Sequence, residues 1–191
     1  TSLNTNVAFQ TGSIGNSRLD FQLGNNPDPT YYRNLPSYFS NLGGYTQDQL
    51  TQIGGTFRAN SQIDWNAMYI ANQNSAFLGR SVYVLYEDRT DDRTFAINSN
   101  LNTQITPNIS FDGGVMYRNL KSHNFQYLQD LLGGKYFEDI DPFYKGNLSQ
   151  SDLQNPDRQV KKGDIYGYNY NLLANTLDIF TQFKFNYNKT E

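Results

Sequence analysis

Apolar and polar residues alternate with a period of two over much of the chain, the pattern of strands with one apolar and one polar side. The alternation is cleanest from Phe95 to Ile105. Phe95, Ile97, Leu101 and Ile105, with Ser99 and Thr103 between them, point one way, and Ala96, Asn98, Asn100, Asn102 and Gln104 the other. Thr106-Pro107-Asn108 reads as a tight turn. Beyond it Ile109, Phe111, Gly113, Val115 and Tyr117 form a second apolar side, opposite Ser110, Asp112, Gly114, Met116 and Arg118. Near the C-terminus Tyr166, Tyr168, Tyr170 and Leu172 alternate with Gly167, Asn169, Asn171 and Leu173. After a turn near Asn175, Leu177, Ile179, Phe183, Phe185 and Tyr187 alternate with Asp178, Gln182, Lys184, Asn186 and Asn188, and Phe180 breaks the rule once. At the N-terminus Leu3, Thr5, Val7 and Phe9 alternate with polar residues. A Gly12-Ser13-Ile14-Gly15-Asn16 turn then leads to Leu19, Phe21 and Leu23.

The expected elements are six strands, at residues 3–10, 17–23, 81–105, 109–119, 164–174 and 177–188, with long loops at 24–79 and 120–163. Both loops are rich in Gly, Pro, Asn and Asp and are expected to carry short helices. In the first, Ser61 with Asp64 resembles a capping box, and Ile63, Ala67, Ile70 and Ala71 share a helical face. In the second, Asn124 is a candidate cap, Phe125, Leu128 and Leu132 a stripe, and Gly133 a terminator. Tyr83, Leu85, Phe95 and Ile97 keep one parity, so 82–105 reads as a single strand with a charged middle at Glu87–Arg93. Both long loops then share one rim and the tight turns the other, the asymmetry of a transmembrane β-barrel. Six strands leave two open edges, and the smallest such barrels need about 8 strands. The polar sides, rich in Asn, Gln, Ser and Asp, suit a hydrated or plugged lumen. In the alternative, a soluble double-layer β-fold, the apolar sides bury one another.

Composition narrows the field. Only 37% of the 191 residues are hydrophobic and 17% charged, yet 15 Tyr, 13 Phe and 1 Trp raise aromatics to 15%. That aromatic content argues against disorder, and the abundance of Asn, Tyr, Phe, Thr and Gly argues against a helical bundle. A net charge of -3 without a basic cluster argues against nucleic acid. The absence of Cys excludes disulfides and thiolate metal sites, and no apolar run is long enough for a spanning helix. Thr1–Gln10 has neither an initiator Met nor a signal segment, and the chain stops shortly after a strand-like run, so it reads as a fragment of a longer protein.

Several segments carry a family resemblance: Asn26 to Phe39 (NPDPTYYRNLPSYF), Gln62-Ile63-Asp64-Trp65, EDRTDD from Glu87, YLQDLLGGKYF from Tyr127, NPDRQVKKGD from Asn155 and YGYNYNL from Tyr166. In this order they resemble TonB-dependent outer-membrane receptors of the class with a carboxypeptidase-regulatory-like domain. The resemblance implies an all-β antiparallel up-and-down meander, a central segment of a transmembrane barrel of about 22 strands. It implies a place in the Gram-negative outer membrane and energised uptake of a nutrient ligand such as a glycan, peptide or metal chelate. The implied partners are outer-membrane lipid, the plug and remaining strands of the same receptor, a periplasmic energy-transducing protein, and a surface lipoprotein or envelope complex.

For ligand binding the first loop offers Tyr31, Tyr32, Arg33, Tyr38 and Trp65, an aromatic platform or equally the loop's own small core. Glu87, Asp88, Asp91 and Asp92 match no standard calcium loop, and cross-strand ion pairing is the simpler expectation. Glu138, Asp139 and Asp141 are a carboxylate group without demonstrated spacing for glycoside chemistry. Asn155-Pro156-Asp157-Arg158 reads as a turn with a local ion pair, and Gly133-Gly134 as a helix stop. With one His, no Ser-His-Asp set is credible. Tyr117, Tyr166, Tyr168 and Tyr187 read as interfacial girdle residues. No catalytic residue, cofactor or metal site is expected. Two rival functions stay open: a soluble or surface β-rich module binding carbohydrate or protein, and a barrel subunit of a larger envelope assembly.

Overall fold

Four long strands carry the alternating residues: β1 (Ser2–Phe21), β2 (Tyr83–Thr106), β3 (Ile109–Asp130) and, after the short β4 (Phe137–Glu138) and β5 (Gln159–Val160), β6 (Ile165–Phe185). They are hydrogen-bonded in the order β1-β2-β3-β6, and β4 pairs antiparallel with β5. The computed structural model describes residues 1–74, 76 and 78–187. Side-chain pairs fix the antiparallel register. Thr1 bonds Thr103, Thr5 bonds Ser99 and Asn6 bonds Asn98, and just past β1 the Gln22 N–H donates to the Val82 carbonyl. Along β3, Asn186 N–H donates to the Asn108 carbonyl and Leu128 N–H to the Asp164 carbonyl.

The fold is therefore mainly antiparallel β, with four long strands where the sequence pattern gives six. Gly12–Asn16 is not a turn; β1 runs straight through it. Nor is there a turn at Asn175, whose side-chain oxygen accepts bonds from the Tyr117 hydroxyl (3.2 Å) and Asn119 Nδ2 (2.7 Å) on the neighbouring strand. The expected helix after Asn124 is strand as far as Asp130, because a segment 36 positions further on, Asp164, supplies the Leu128 N–H with its partner. The single long strand through Glu87–Arg93 and the tight turn at Pro107-Asn108 are present. The expected last strand ends at Phe185, and Asn188 lies outside the described residues.

By contacts the chain divides into two units: Thr1–Asn16, Arg89–Phe125 and Tyr168–Glu191 form one, and Ser17–Asp88 and Gln126–Gly167 the other. The first unit is a single sheet. Odd-numbered residues share one side, as the Phe111–Phe183 ring contact at 4.9 Å and the Thr5–Ser99 bond show; even-numbered ones share the other, as Asn6–Asn98 and Asn102–Asp112 show. Near the Pro107-Asn108 turn, over residues 3–9, 95–105, 109–117 and 177–185, the odd side is apolar and open, Phe9 being 70% and Ile179 71% exposed. Toward the other end it turns polar, and because β6 is unbroken Tyr168, Tyr170 and Leu172 fall on the even side. Phe180, the exception to the alternation, lies on the polar side over Gly114 and beside Asn100, where any side chain at 114 would collide with it. A glycine there makes room for the ring.

The second unit holds both long connections and the buried core. Val84, Leu128, Phe137, Val160 and Tyr166 form that core, with Tyr86 and Leu131 against it. β4 and β5 thus clamp the second loop onto β2, β3 and the start of β6. Among the described residues, the first loop contains three α-helices, α1 (Pro36–Leu42), α2 (Gln47–Ala59) and α3 (Trp65–Gln73). Pro36 starts α1, its fixed φ suiting a first helical position. Thr46 and Gln49 form a reciprocal capping box on α2. Asp64, not Ser61, caps α3, its carboxylate accepting from Ala67 N–H at 2.9 Å.

α3 is fastened by a buried amide. Asn72 donates to the carbonyls of Tyr83, Leu131 and Leu132 and accepts from the N–H groups of Val82 and Tyr83, all within 3.0 Å. Gln22 does similar work, donating to the Glu138 and Ile140 carbonyls and accepting from Arg80, which also pairs with Glu138 at 2.7 Å. These amides satisfy backbone groups that strand ends leave unpaired.

Candidate functional site

The first loop is organised from Asp28. Its carboxylate Oδ1 accepts from the N–H and hydroxyl of Thr30, and its carbonyl accepts from Tyr31 N–H and Asn34 Nδ2. The chain then makes a short 3-10 turn at Tyr32–Asn34 and enters α1. This folding brings four of the five expected binding residues together. Tyr31 meets Tyr32 edge to face at 4.8 Å, Tyr32 meets Tyr38 at 5.7 Å, and the chain of rings continues through Phe39 to Tyr45. Arg33 donates from Nε to the Tyr32 oxygen at 2.8 Å and lies over the same ring. That bond holds the Tyr32 phenol below the ordinary tyrosine range, while desolvation, aided by its bond to Tyr32, raises Tyr31.

Beside this ladder lies a pocket of about 510 Å³, lined by Phe39, Phe57, Ile53, Asn34, Gln52 and Asn60 among others, with no charged side chain in its wall. Aromatic surface with several amides is a wall for a neutral polar ligand. Trp65 stands apart from the ladder. As the first residue of α3 it lines a different cleft, also about 510 Å³, with Leu19, Phe21, Ile63 and Leu85. Phe39, Phe57 and the amides of the first pocket were not singled out by sequence. Phe39 adjoins Tyr38 in the aromatic run, whereas nothing local marks Gln52 or Asn60.

The acidic groups resolve mainly into ion pairs. Arg18 of β1 bonds Asp88 of β2 at 2.8 Å, and Arg89 bonds Asp91 at 3.1 Å, the first across strands as expected. Arg158 pairs with Asp139 at 2.5 Å and donates to the Ile165 carbonyl, so the expected local pair in Asn155–Arg158 is replaced by one between the residue that follows β4 and the one that precedes β5. The Asp139 side chain is only 2% exposed and also accepts from Gly167 N–H. Gly167 adopts a positive φ of 65°, a conformation that favours glycine, and a Cβ there would displace the amide end of Gln126.

Tyr166, expected at an interface, is instead buried in the core and donates to Asp20 at 3.1 Å. Burial pushes the Asp20 carboxyl above its usual value, and the same burial, with Asp20 beside it, drives the Tyr166 phenol well above the tyrosine range. These groups adjoin a smaller cleft of about 310 Å³ that includes Asp141 and Phe143. Its carboxylates support the loop; Asp139 is occupied by Arg158 and Gly167.

No protein-family profile matches the chain, no curated protein matches its sequence, and no solved structure matches its fold.

Proposed function

We propose that this chain is a wall segment and two outer loops of a TonB-dependent receptor, a barrel of about 22 strands in the Gram-negative outer membrane that imports a glycan, peptide or metal chelate. The observation that carries this reading is the open apolar side of the first unit. Leu3, Val7, Phe9, Phe95, Val115, Leu177, Ile179, Phe183 and Phe185 are all exposed on four adjacent strands, a surface larger than water tolerates on a monomer. Lipid covers such a side without a second protein layer. On that side Thr1 bonds Thr103 and Thr5 bonds Ser99 across strands at one end. At the other end, where it carries Arg89, Asp91, Arg93, Asn119, Lys121, His123 and Asn175, Asn119 bonds Asn175 and His123 bonds Asn169. The hydrocarbon-facing stretch in this reading is therefore the part from the Pro107-Asn108 turn as far as Phe9, Phe95 and Val115.

The ligand in this reading meets the aromatic ladder and the neighbouring uncharged pocket of the first loop. The role of the strands is scaffold and conduit, and no catalytic step is assigned. The second loop adds exposed Phe143, Tyr144, Leu148 and Leu153, which favours a companion role for that loop as a contact for a surface lipoprotein or envelope partner.

Substitution on the two sides tests the membrane reading. A cation at the bilayer midplane costs about 2–4 kcal/mol, whereas a lumen position tolerates one. Ile97→Arg or Leu101→Arg is expected to reduce the membrane-inserted fraction several-fold in a flotation assay, and Asn100→Lys to leave it near the parent level. Equal behaviour of the two sides, or a monodisperse particle without detergent, refutes the reading.

A further inference from the structure

The cleft that Trp65 lines is floored by one side of the sheet. The Gln22 N–H on the Val82 carbonyl and the Phe21–Tyr83 ring contact set the register, which puts Leu19 of β1 directly opposite Leu85 of β2. Leu19, Phe21 and Leu85 share that side and form the floor, and the first loop adds Ile63, Trp65 and Asp28 to the lining. The volume of about 510 Å³ suits a small molecule.

The charges decide which class of ligand fits. Arg18 also touches the cleft, but its side chain belongs to the opposite side of β1, where Nε bonds Asp88 at 2.8 Å and the two charges balance. Asp28 pairs with no cation among the described residues. Both hydrogen bonds to its carboxylate, from the N–H and hydroxyl of Thr30, fall on Oδ1, which leaves Oδ2 to a ligand. Trp65 opens α3, yet that helix end offers no rival seat for an anion, because the Asp64 carboxylate already caps it. The lining is therefore net negative. An anion is repelled by Asp28, whereas a cation is attracted to it and to the electron-rich faces of Trp65 and Phe21. A sugar or peptide finds one side-chain amide, Asn26, whose oxygen already accepts from Asp28 N–H at 2.9 Å.

We propose that the Trp65 cleft binds a small organic ammonium, its cationic nitrogen on the Asp28 carboxylate and against the Trp65 ring, its apolar body on Leu19, Phe21 and Leu85. The proposal does not rest on the membrane reading, since every group it uses lies in the second unit, outside the stretch assigned to lipid. The cleft is also separate from the pocket beside Phe39, whose wall carries no charge.

The single Trp of the sequence provides the probe. The full chain in uncharged maltoside micelles is titrated with phenethylammonium, with phenethyl alcohol as the neutral counterpart and with phenylacetate as the anion, while Trp65 emission is followed. The expected result is a saturable change in which the ammonium binds about fivefold tighter than the alcohol, and phenylacetate binds weakest. Asp28→Asn keeps an oxygen to accept from Thr30 and removes the charge, and is expected to bring ammonium and alcohol to the same affinity. Nα-acetyl-lysine amide is expected to bind more weakly than phenethylammonium, because it offers the floor only a thin chain. Binding as tight as phenethylammonium or tighter overturns the proposal in favour of a lysine from a protein partner. The absence of a saturable change, equal affinity for ammonium and alcohol in the parent, or a preference that survives Asp28→Asn overturns the site. If Asp28→Asn does not fold, judged by its far-ultraviolet spectrum, the order of the ligands on the parent decides alone.

Discussion

Asp20 shows how a single buried carboxylate shapes the second unit. Desolvation lifts its pKa above the ordinary 3.8, the Asp141 charge adds to the lift, and the Phe21 N–H and Tyr166 hydroxyl partly offset it. The folded state therefore holds the proton more tightly than the unfolded chain. Its contribution to stability is most favourable below the unfolded value and declines as pH rises through the raised one, levelling off where both states are ionised. Asp20→Asn keeps an oxygen to accept from Tyr166 and removes the titration. In guanidinium unfolding between about pH 4 and 8, the variant is expected to gain on the parent as pH rises; a pH-independent gap refutes the account. Residues of this kind were only partly readable in the chain. Tyr166 looked like one more member of an alternating Tyr run, and its burial depends on Phe137 and Val160, which the second loop brings in from elsewhere. Asn72 and Gln22 carried no signal, since a buried amide earns its place through backbone groups distant in sequence. By contrast Tyr31, Tyr32, Arg33 and Tyr38 lie so close in sequence that their meeting needed little more than a short turn.

At the level of elements, period two identified the strands and local turn chemistry misplaced two of their ends. Gly12–Asn16 has turn composition, yet pairing along β2 overrides it: Ser13 hydrogen-bonds Asp91 and, among other contacts, lowers that carboxyl's pKa. Asn175 is a cross-strand acceptor in the middle of β6. Phe125, Leu128 and Leu132 fit a helical stripe, and distant pairing made most of that run strand. The helices of the first loop were legible only in part: the Ser61–Asp64 pair announces a helix there, although Asp64 is the residue that caps α3. By contrast α1 and α2 were not singled out, even though Thr46 with Gln49 caps α2 and Leu50, Ile53 and Phe57 share one of its faces. The irregularity at Phe180 is explained by the glycine opposite it, and this gives a test of the register. Gly114→Val places branched carbons against Phe180 and Asn100 and is expected to cost about 1–3 kcal/mol, as overpacking does. Phe180→Ala in the same chain is expected to return most of that loss, because the two positions touch. The measurement is the unfolding midpoint of both single variants and the double variant; additive effects would mean that the ring does not sit over Gly114.

Strand direction makes a prediction for the whole molecule. Antiparallel order sends β1 and β3 one way and β2 and β6 the other, so the connections β1–β2 and β3–β6 leave from the same strand ends and the Pro107-Asn108 turn from the opposite ends. In a membrane this separates them by a barrier to polar reagents. The chain has no Cys, so an introduced thiol reports its own position. Ser151→Cys lies in the second loop at an exposed residue, and Asn108→Cys in the exposed tight turn. A membrane-impermeant maleimide applied to intact cells is expected to label Ser151→Cys and to leave Asn108→Cys at about background. Permeabilising the outer membrane is then expected to raise labelling at 108 several-fold and change that at 151 little. If both sites label equally in intact cells, no barrier lies between them, and the apolar side of the sheet must be covered by protein. In that case the soluble binding module, with Leu3, Phe9 and Ile179 buried against a second layer, accounts better for the same alternation.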